Sequence, residues 1–182
     1  PDSEIKSSVF TYTVKGWKES LQFSIPDKSK DNISTMIGLD LGLKELITLS
    51  TGKTIPNIRT TKEYADLLRR RQRKLSRCKL KSNRRKKVKK EVLKVYHKIT
   101  NVRKTYLHQV SAQLIKSYDL IGMEKLQVSN MVKNHHLAKS IHDVSWGKLT
   151  NMIVYKAERA GKHVVLVDPR YTSQECSCCG NL

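Results

Sequence analysis

The chain has 182 residues, 36 Lys+Arg against 16 Asp+Glu, a formal net charge of +20, and 38% hydrophobic residues. That length suits one ordinary domain, and the apolar fraction, though low, allows a core, which excludes both a mini-protein and a disordered tail. No apolar run is long enough to span a bilayer and there is no charged-then-apolar leader, so a cytoplasmic protein with no membrane partner is expected, with nucleic acid as the natural counter-surface.

In chain order, residues 8 to 25 hold two alternating runs of β-branched and aromatic residues around Lys15-Gly16, which predicts a short N-terminal β segment, a hairpin. Pro26 to Asn32 is a polar linker. Met36-Ile-Gly-Leu-Asp-Leu-Gly and Lys44-Glu-Leu-Ile-Thr-Leu-Ser are apolar runs broken by Gly42, with a further turn at Thr51-Gly52, and predict three closely spaced strands. From Thr60 the period changes. Tyr64, Leu67, Leu68 and Leu75 give one helical stripe, and Val88, Val92, Val95, Ile99, Val102, Tyr106, Val110 and Leu114 give a longer one. Polar residues from Lys79 to Asn83 separate them, so a helical hairpin over 61–78 and 84–117 is expected. Asp119-Leu-Ile-Gly-Met-Glu then predicts a short strand ending in a carboxylate, followed by a polar loop with His135 and His136. A helix from Ser145 to Ala160 carries Trp146, Leu149, Ile153 and Ala157 on one side, with Gly161 as its C-cap, and His163-Val-Val-Leu-Val-Asp is the last strand.

The charge is concentrated. Lys62 to Lys104 holds 19 basic residues and three acids, Glu63, Asp66 and Glu91, which leaves only +4 for the other 139 residues. Arg84, Arg85, Lys87, Lys90, Lys94, Lys98 and Arg103 fall off the apolar stripe of the long helix and predict a ladder of phosphate contacts, joined by Arg69, Arg70 and Arg73 on the shorter helix. The competing reading is a solvated helical face with no ligand.

Two carboxylates stand apart from the surface charge. Asp40 lies between leucines on a predicted central strand, where an ionised group is costly unless something charged neutralises it. Glu124 closes another apolar strand in an equivalent way. If those strands are neighbours, both carboxylates point at one spot, as needed to hold Mg²⁺ or Mn²⁺ for phosphodiester hydrolysis. Taken singly, each fits a turn or loop role better. Among the cysteines, Cys78 stands alone and three crowd into 176–179. Cys176 and Cys179 have the C-x-x-C spacing of half a zinc site, with the second pair absent.

Three strands, a helical segment, a strand, a helix and a strand follow the plan of an RNase H-like domain. The residues also resemble a family. Ile37-Gly-Leu-Asp-Leu-Gly-Leu-Lys, Gly122-Met-Glu-Lys-Leu, Ala138-Lys-Ser-Ile-His-Asp-Val-Ser-Trp, Tyr155-Lys-Ala-Glu with Gly161, and Tyr171-Thr-Ser-Gln-Glu-Cys-Ser-Cys-Cys-Gly look like the consecutive motifs of the OrfB/TnpB proteins of insertion sequences, relatives of type V CRISPR effectors. The resemblance implies an α/β fold, a RuvC-type mixed sheet with the basic helical hairpin inserted after the third strand, and a nuclease that cuts DNA under the guidance of a structured RNA. It matches Asp40 and Glu124 to the first and second catalytic carboxylates, and puts the third beyond Leu182. Cys176 and Cys179 match the first half of a four-cysteine zinc ribbon.

The expected division is therefore 1–32, the end of a β-barrel-like wedge domain; 33–171, the RuvC core with its insertion at 61–117; and 172–182, the half ribbon. A chain that starts at Pro1 and stops within a ribbon reads as a fragment, with little or no nuclease activity by itself and with Zn²⁺ partial or absent. Asp168, before Pro169, reads as a turn residue rather than a substitute third carboxylate. The alternative function is a non-catalytic nucleic-acid-binding protein acting through the basic hairpin. A ribosomal-type RNA-binding protein is more distant, since the paired acids and clustered cysteines do not favour it.

Overall fold

Alternation and helical period account for most of the elements in the computed structural model, which describes residues 5–168 apart from 15, 25–27, 30–31, 128–130, 132 and 134. They are β1 (Ile5–Thr13), β2 (Gly16–Phe23), β3 (Met36–Leu41), β4 (Glu45–Leu49), β5 (Thr54–Pro56), α1 (Thr60–Glu63), α2 (Ala65–Ser76), α3 (Asn83–Ser117), β6 (Leu120–Glu124), α4 (His135–Val144), α5 (Trp146–Ala160) and β7 (His163–Val167). The chain divides into two units. One comprises residues 1–27 and 60–105, the other residues 28–59 and 106–182, so α3 contributes to both.

In the first unit β1 and β2 form an antiparallel hairpin, and α2 and α3 are joined side chain to side chain. Arg71 and Lys74 of α2 meet Glu91 of α3 at 2.7 and 3.5 Å, and Gln72 donates to the Tyr96 hydroxyl at 2.9 Å. Ser82 starts α3 as an N-cap, its Oγ accepting the Arg85 N–H at 3.1 Å. The first predicted helix is split at Tyr64 (φ −94°, ψ 5°), although N–H bonds from Tyr64 to Thr60 and from Leu68 to Tyr64 carry the chain across the break.

The second unit is built on a mixed sheet in the order β5-β4-β3-β6-β7, with β3 parallel to β6, β6 parallel to β7, and β4 antiparallel to both its neighbours. Period-two alternation buries Ile37, Leu39 and Leu41 of β3 and Ile121 and Met123 of β6 on one face. That face packs on Leu107, Val110, Leu114 and Ile115 of α3, Ile141 and Val144 of α4, and Trp146, Leu149, Ile153 and Ala157 of α5. Gly42 makes the turn after β3, where an added Cβ would sit 2.9 Å from the Glu45 carbonyl oxygen, and its own carbonyl accepts the Trp146 indole N–H at 3.3 Å. Gly161 ends α5 in the left-handed region at φ 71°.

The sequence places His135 and His136 in a polar loop. They instead open α4, a helix carried by the three-residue spacing of Ile141 and Val144, both buried in the core. The expected stripe of α3 also shifts. Val88, Val92, Val95, Ile99, Val110 and Leu114 are buried as predicted and Tyr106 is half-buried, but Val102 is 36% exposed, and burial extends to Leu107, Ser111 and Ile115 outside the expected stripe. A strict seven-residue repeat drifts about 20° per heptad on a straight helix, and Val102 lies two heptads after Val88.

A polar clamp fixes the register of the central strands. Asp119, just before β6, accepts the Thr35 hydroxyl at 2.9 Å, the N–H groups of Thr35 and Ser34 at 3.0 and 3.2 Å, and the Lys162 ammonium at 3.1 Å. The Thr35 hydroxyl, the Lys162 ammonium and these N–H groups hold the Asp119 carboxyl well below the usual carboxylate range. A pKa lowered on folding adds stability that is present above the unfolded value of about 3.9 and is lost as pH falls toward the folded value. Asp119→Asn should therefore lower the melting temperature at pH 7, with the difference from the parent shrinking below about pH 4. A difference independent of pH in melts from pH 7 to pH 2 would count against the clamp.

Candidate functional site

The parallel pairing of β3 with β6 runs Met36 to Leu120, Ile37 to Ile121, Gly38 to Gly122 and Leu39 to Met123. The next residues along, Asp40 and Glu124, are therefore level with each other and on the same face, on strands about 4.8 Å apart. Alternation turns both away from the core. Asp40 is exposed and Glu124 half-buried, so Asp40 bears no burial cost from its flanking leucines, contrary to the expectation drawn from the apolar run.

The two carboxylates sit in a groove of about 560 Å³ whose lining includes Gly38, Asp40, Thr48, Ser50, Gly122 and Glu124. Thr48 lies across from Asp40 in the β3–β4 ladder. Ser50 Oγ accepts the Gly38 N–H at 3.2 Å, which leaves its own proton free to be donated. The paired glycines one step below the acids leave the floor without side chains. At Gly122 a Cβ would meet only the Ile37 carbonyl oxygen, at an ordinary 3.9 Å, so that glycine is not forced by crowding and its effect is to keep the groove open. Lys125 donates its N–H to the Val167 carbonyl at 2.8 Å, which holds the strand end carrying Glu124.

Two carboxylates and two hydroxyls make a hard oxygen donor set of the kind Mg²⁺ and Mn²⁺ prefer. Among the described residues no group of three or more His, Cys, Asp or Glu is placed to hold a metal ion. Asp168 follows β7 and is exposed. Cys176 and Cys179 lie outside the described residues.

In the first unit Arg69, Arg70 and Arg73 of α2 and Arg84, Lys87, Lys90, Lys94 and Lys98 of α3 are exposed. Arg69 is paired with Asp66 at 2.9 Å in the open, an ion pair that solvent screens. Arg85 and Arg103 differ from the expectation that both stand off the packed side. The Arg85 guanidinium donates to the Leu75 and Cys78 carbonyls at 2.9 and 3.3 Å, and Arg103 donates to the Thr61 hydroxyl at 3.0 Å. Both hold helices together.

One convergence is not visible in the sequence spacing. The turn between α2 and α3 brings Arg70, Arg73, Lys74, Arg77 and Arg84 around one concavity of about 390 Å³ beside Cys78. Only the fold of the turn puts Lys74 and Arg77 next to Arg84, and the density of the basic run is the one signal of it in the sequence. Among the described residues no helix is long and apolar enough to cross a membrane.

Known families and proteins resemble this chain in sequence and fold. The family OrfB_IS605, described as "Probable transposase", matches residues 20–135, and the "Cas12f1-like, TNB domain" matches residues 146–182. Two proteins named "Putative RNA-guided DNA endonuclease" are similar. The one from Streptomyces pristinaespiralis is 35% identical over 147 residues, covering 80% of this chain and 37% of that protein. The other, InsQ of Escherichia coli (strain K12), is 34% identical over 163 residues, covering 81% and 40%. The chain thus spans about two fifths of the length of these relatives. Its mixed α/β fold resembles a chain in the cryo-EM structure of a Cas12f1-sgRNA-target DNA complex, with a TM-score of 0.65 at 18% identity, over all of this chain and 39% of that one.

Proposed function

The chain belongs to the OrfB_IS605 family, and from that premise we propose that it forms part of an RNA-guided DNA endonuclease, its five-stranded sheet serving as a RuvC-type, RNase H-like core. The observation that carries this reading is the register that sets Asp40 level with Glu124 at the open groove. Bound by these two carboxylates, Mg²⁺ or Mn²⁺ would polarise a phosphate oxygen and lower the pKa of water. The chain's own residues supply the setting. Gly38 and Gly122 leave room for a sugar-phosphate backbone, and the Thr48 and Ser50 hydroxyls can donate to phosphate oxygens at its edge.

DNA and a structured guide RNA are the partners of this reading, gathered by the exposed cations of α2 and α3. Residues 1–32 are read as the end of a wedge domain. Residues 172–182 are read as the first half of a zinc ribbon, a reading supported by the C-x-x-C spacing of Cys176 and Cys179.

Because the chain spans part of its relatives, the test uses InsQ with its matching segment replaced by this chain, guide RNA, Mg²⁺ and a complementary duplex. Guide-dependent cutting is expected. Guide-dependent binding of the duplex with no cutting at any Mg²⁺ or Mn²⁺ concentration would instead favour the non-catalytic reading.

A further inference from the structure

A second concavity in the unit with the basic helices shares Lys94 and Lys98 with the cationic ladder and adds groups that the reading above does not use. It measures about 770 Å³ and is lined by Val14, Lys94, His97, Lys98, Asn101 and Val102. Its chemistry differs from that of the cationic ladder. Lys94 and Lys98 put two ammonium groups on successive turns of α3, and none of the described lining residues is acidic. The Lys98 ammonium lies 5.1 Å from the centre of the Tyr64 ring, a cation–π contact that restrains a long side chain before any ligand arrives. His97 Nδ1 and Asn101 Nδ2 are 3.0 Å apart. With Nδ1 accepting from the amide, the neutral ring carries its proton on Nε2, and the Asn101 carbonyl oxygen remains an acceptor. Val14 and Val102 add apolar wall. Val102 is the residue that the apolar stripe of α3 leaves exposed, and it lines this space instead.

The size and the mixture of groups select the ligand. Pockets of about 300–1,000 Å³ suit molecules with both an apolar body and a polar edge. Inorganic phosphate, only a few times the roughly 30 Å³ share of a water molecule, would leave most of this one empty. A base stacked in a duplex cannot turn its face and edge into such a recess, whereas an unpaired one can.

We propose that this pocket receives one unpaired nucleotide of a bound RNA, with its phosphate on Lys94 and Lys98, its base against Val14 and Val102, and its edge at His97 and Asn101. The proposal rests on the reading of the chain as a nucleic-acid-binding protein.

The test measures binding of the 182-residue chain to two RNA hairpins of equal length, one fully paired in its stem and one with a single bulged nucleotide. The bulged RNA should bind about tenfold tighter, the discrimination that roughly 1.4 kcal/mol gives. His97→Ala with Asn101→Ala should cut that preference to about twofold or less, while the affinity for the paired stem and its salt dependence stay as they were. Val102→Trp fills the cavity without altering a polar group and should do the same. Equal affinity of the parent chain for both RNAs overturns the pocket, as does a preference that survives both variants. Loss of affinity for both RNAs in the His97→Ala, Asn101→Ala variant and in Val102→Trp overturns it too. If the parent chain binds neither RNA, the nucleic-acid reading fails first and the pocket with it.

Discussion

Cutting by the InsQ chimera should fall about a thousandfold when Asp40 or Glu124 is replaced by alanine, with affinity for nucleic acid held or slightly raised. Lewis-acid assistance at a phosphate is worth several kcal/mol, and each 1.36 kcal/mol is tenfold in rate. Removing either carboxylate takes away half of the acidic ligands that the groove presents. Even outer-shell partners of a metal cost about 10- to 100-fold in affinity or activity when removed, so a direct ligand should cost no less. The sign for binding runs the other way. A carboxylate beside a phosphate repels it, and its removal lowers that repulsion by an amount solvent keeps small. Cleavage rates and gel-shift affinities on the same chimeras separate the two effects. A parallel loss of both would mean that Asp40 and Glu124 support the fold or the interface rather than the chemistry.

The second large effect concerns the basic face. Replacing Arg84, Lys87, Lys90 and Lys94 together by glutamine should weaken binding to any duplex and flatten the plot of log K against log salt by up to about 3.6, near 0.9 for each phosphate left without its cation. All four are exposed on α3. Arg85→Gln should leave that slope nearly unchanged and lower the melting temperature instead, because its guanidinium is spent on the Leu75 and Cys78 carbonyls. Removing that one donor takes a charged hydrogen bond from two carbonyls, of which Leu75 keeps the Cys78 N–H at 3.1 Å, and hydrogen bonds to charged groups contribute about 1.5–3 kcal/mol each. Titrations over a range of salt, set beside thermal melts, give both numbers. An Arg85→Gln chain that loses slope as fully as the quadruple variant would show the guanidinium to be a phosphate ligand after all.

That contrast marks where sequence reasoning reaches its limit. Alternation in Met36-Ile-Gly-Leu-Asp-Leu suffices to identify β3 and its buried side, and the threes and fours of Trp146, Leu149, Ile153 and Ala157 identify α5 and its face. The same alternation should have put Asp40 opposite its leucines. The apolar run hides this, because a strand buried on both faces and one buried on a single face read alike when every second residue is Gly or Asp. Helix α4 is masked by two histidines in a polar stretch whose only apolar signal is Leu137, Ile141 and Val144. On α3, knowing the period is not enough over 35 residues, since a small angular drift moves Val102 out of the packed face and swings Arg103 toward Thr61. The carboxylate pair is legible as two residues on two strands. Their juxtaposition requires the β3–β6 register, which the Asp119 clamp sets from a distance that no local pattern reveals.

The most direct measurement is anomalous diffraction from crystals of the chain soaked in Mn²⁺. A peak bridging Asp40 and Glu124, absent after Asp40→Asn, is the result that two level carboxylates on neighbouring strands predict. Carboxyl groups more than about 8 Å apart with no Mn²⁺ between them, too far for one coordination shell with oxygen ligands at about 2–2.6 Å, would contradict it.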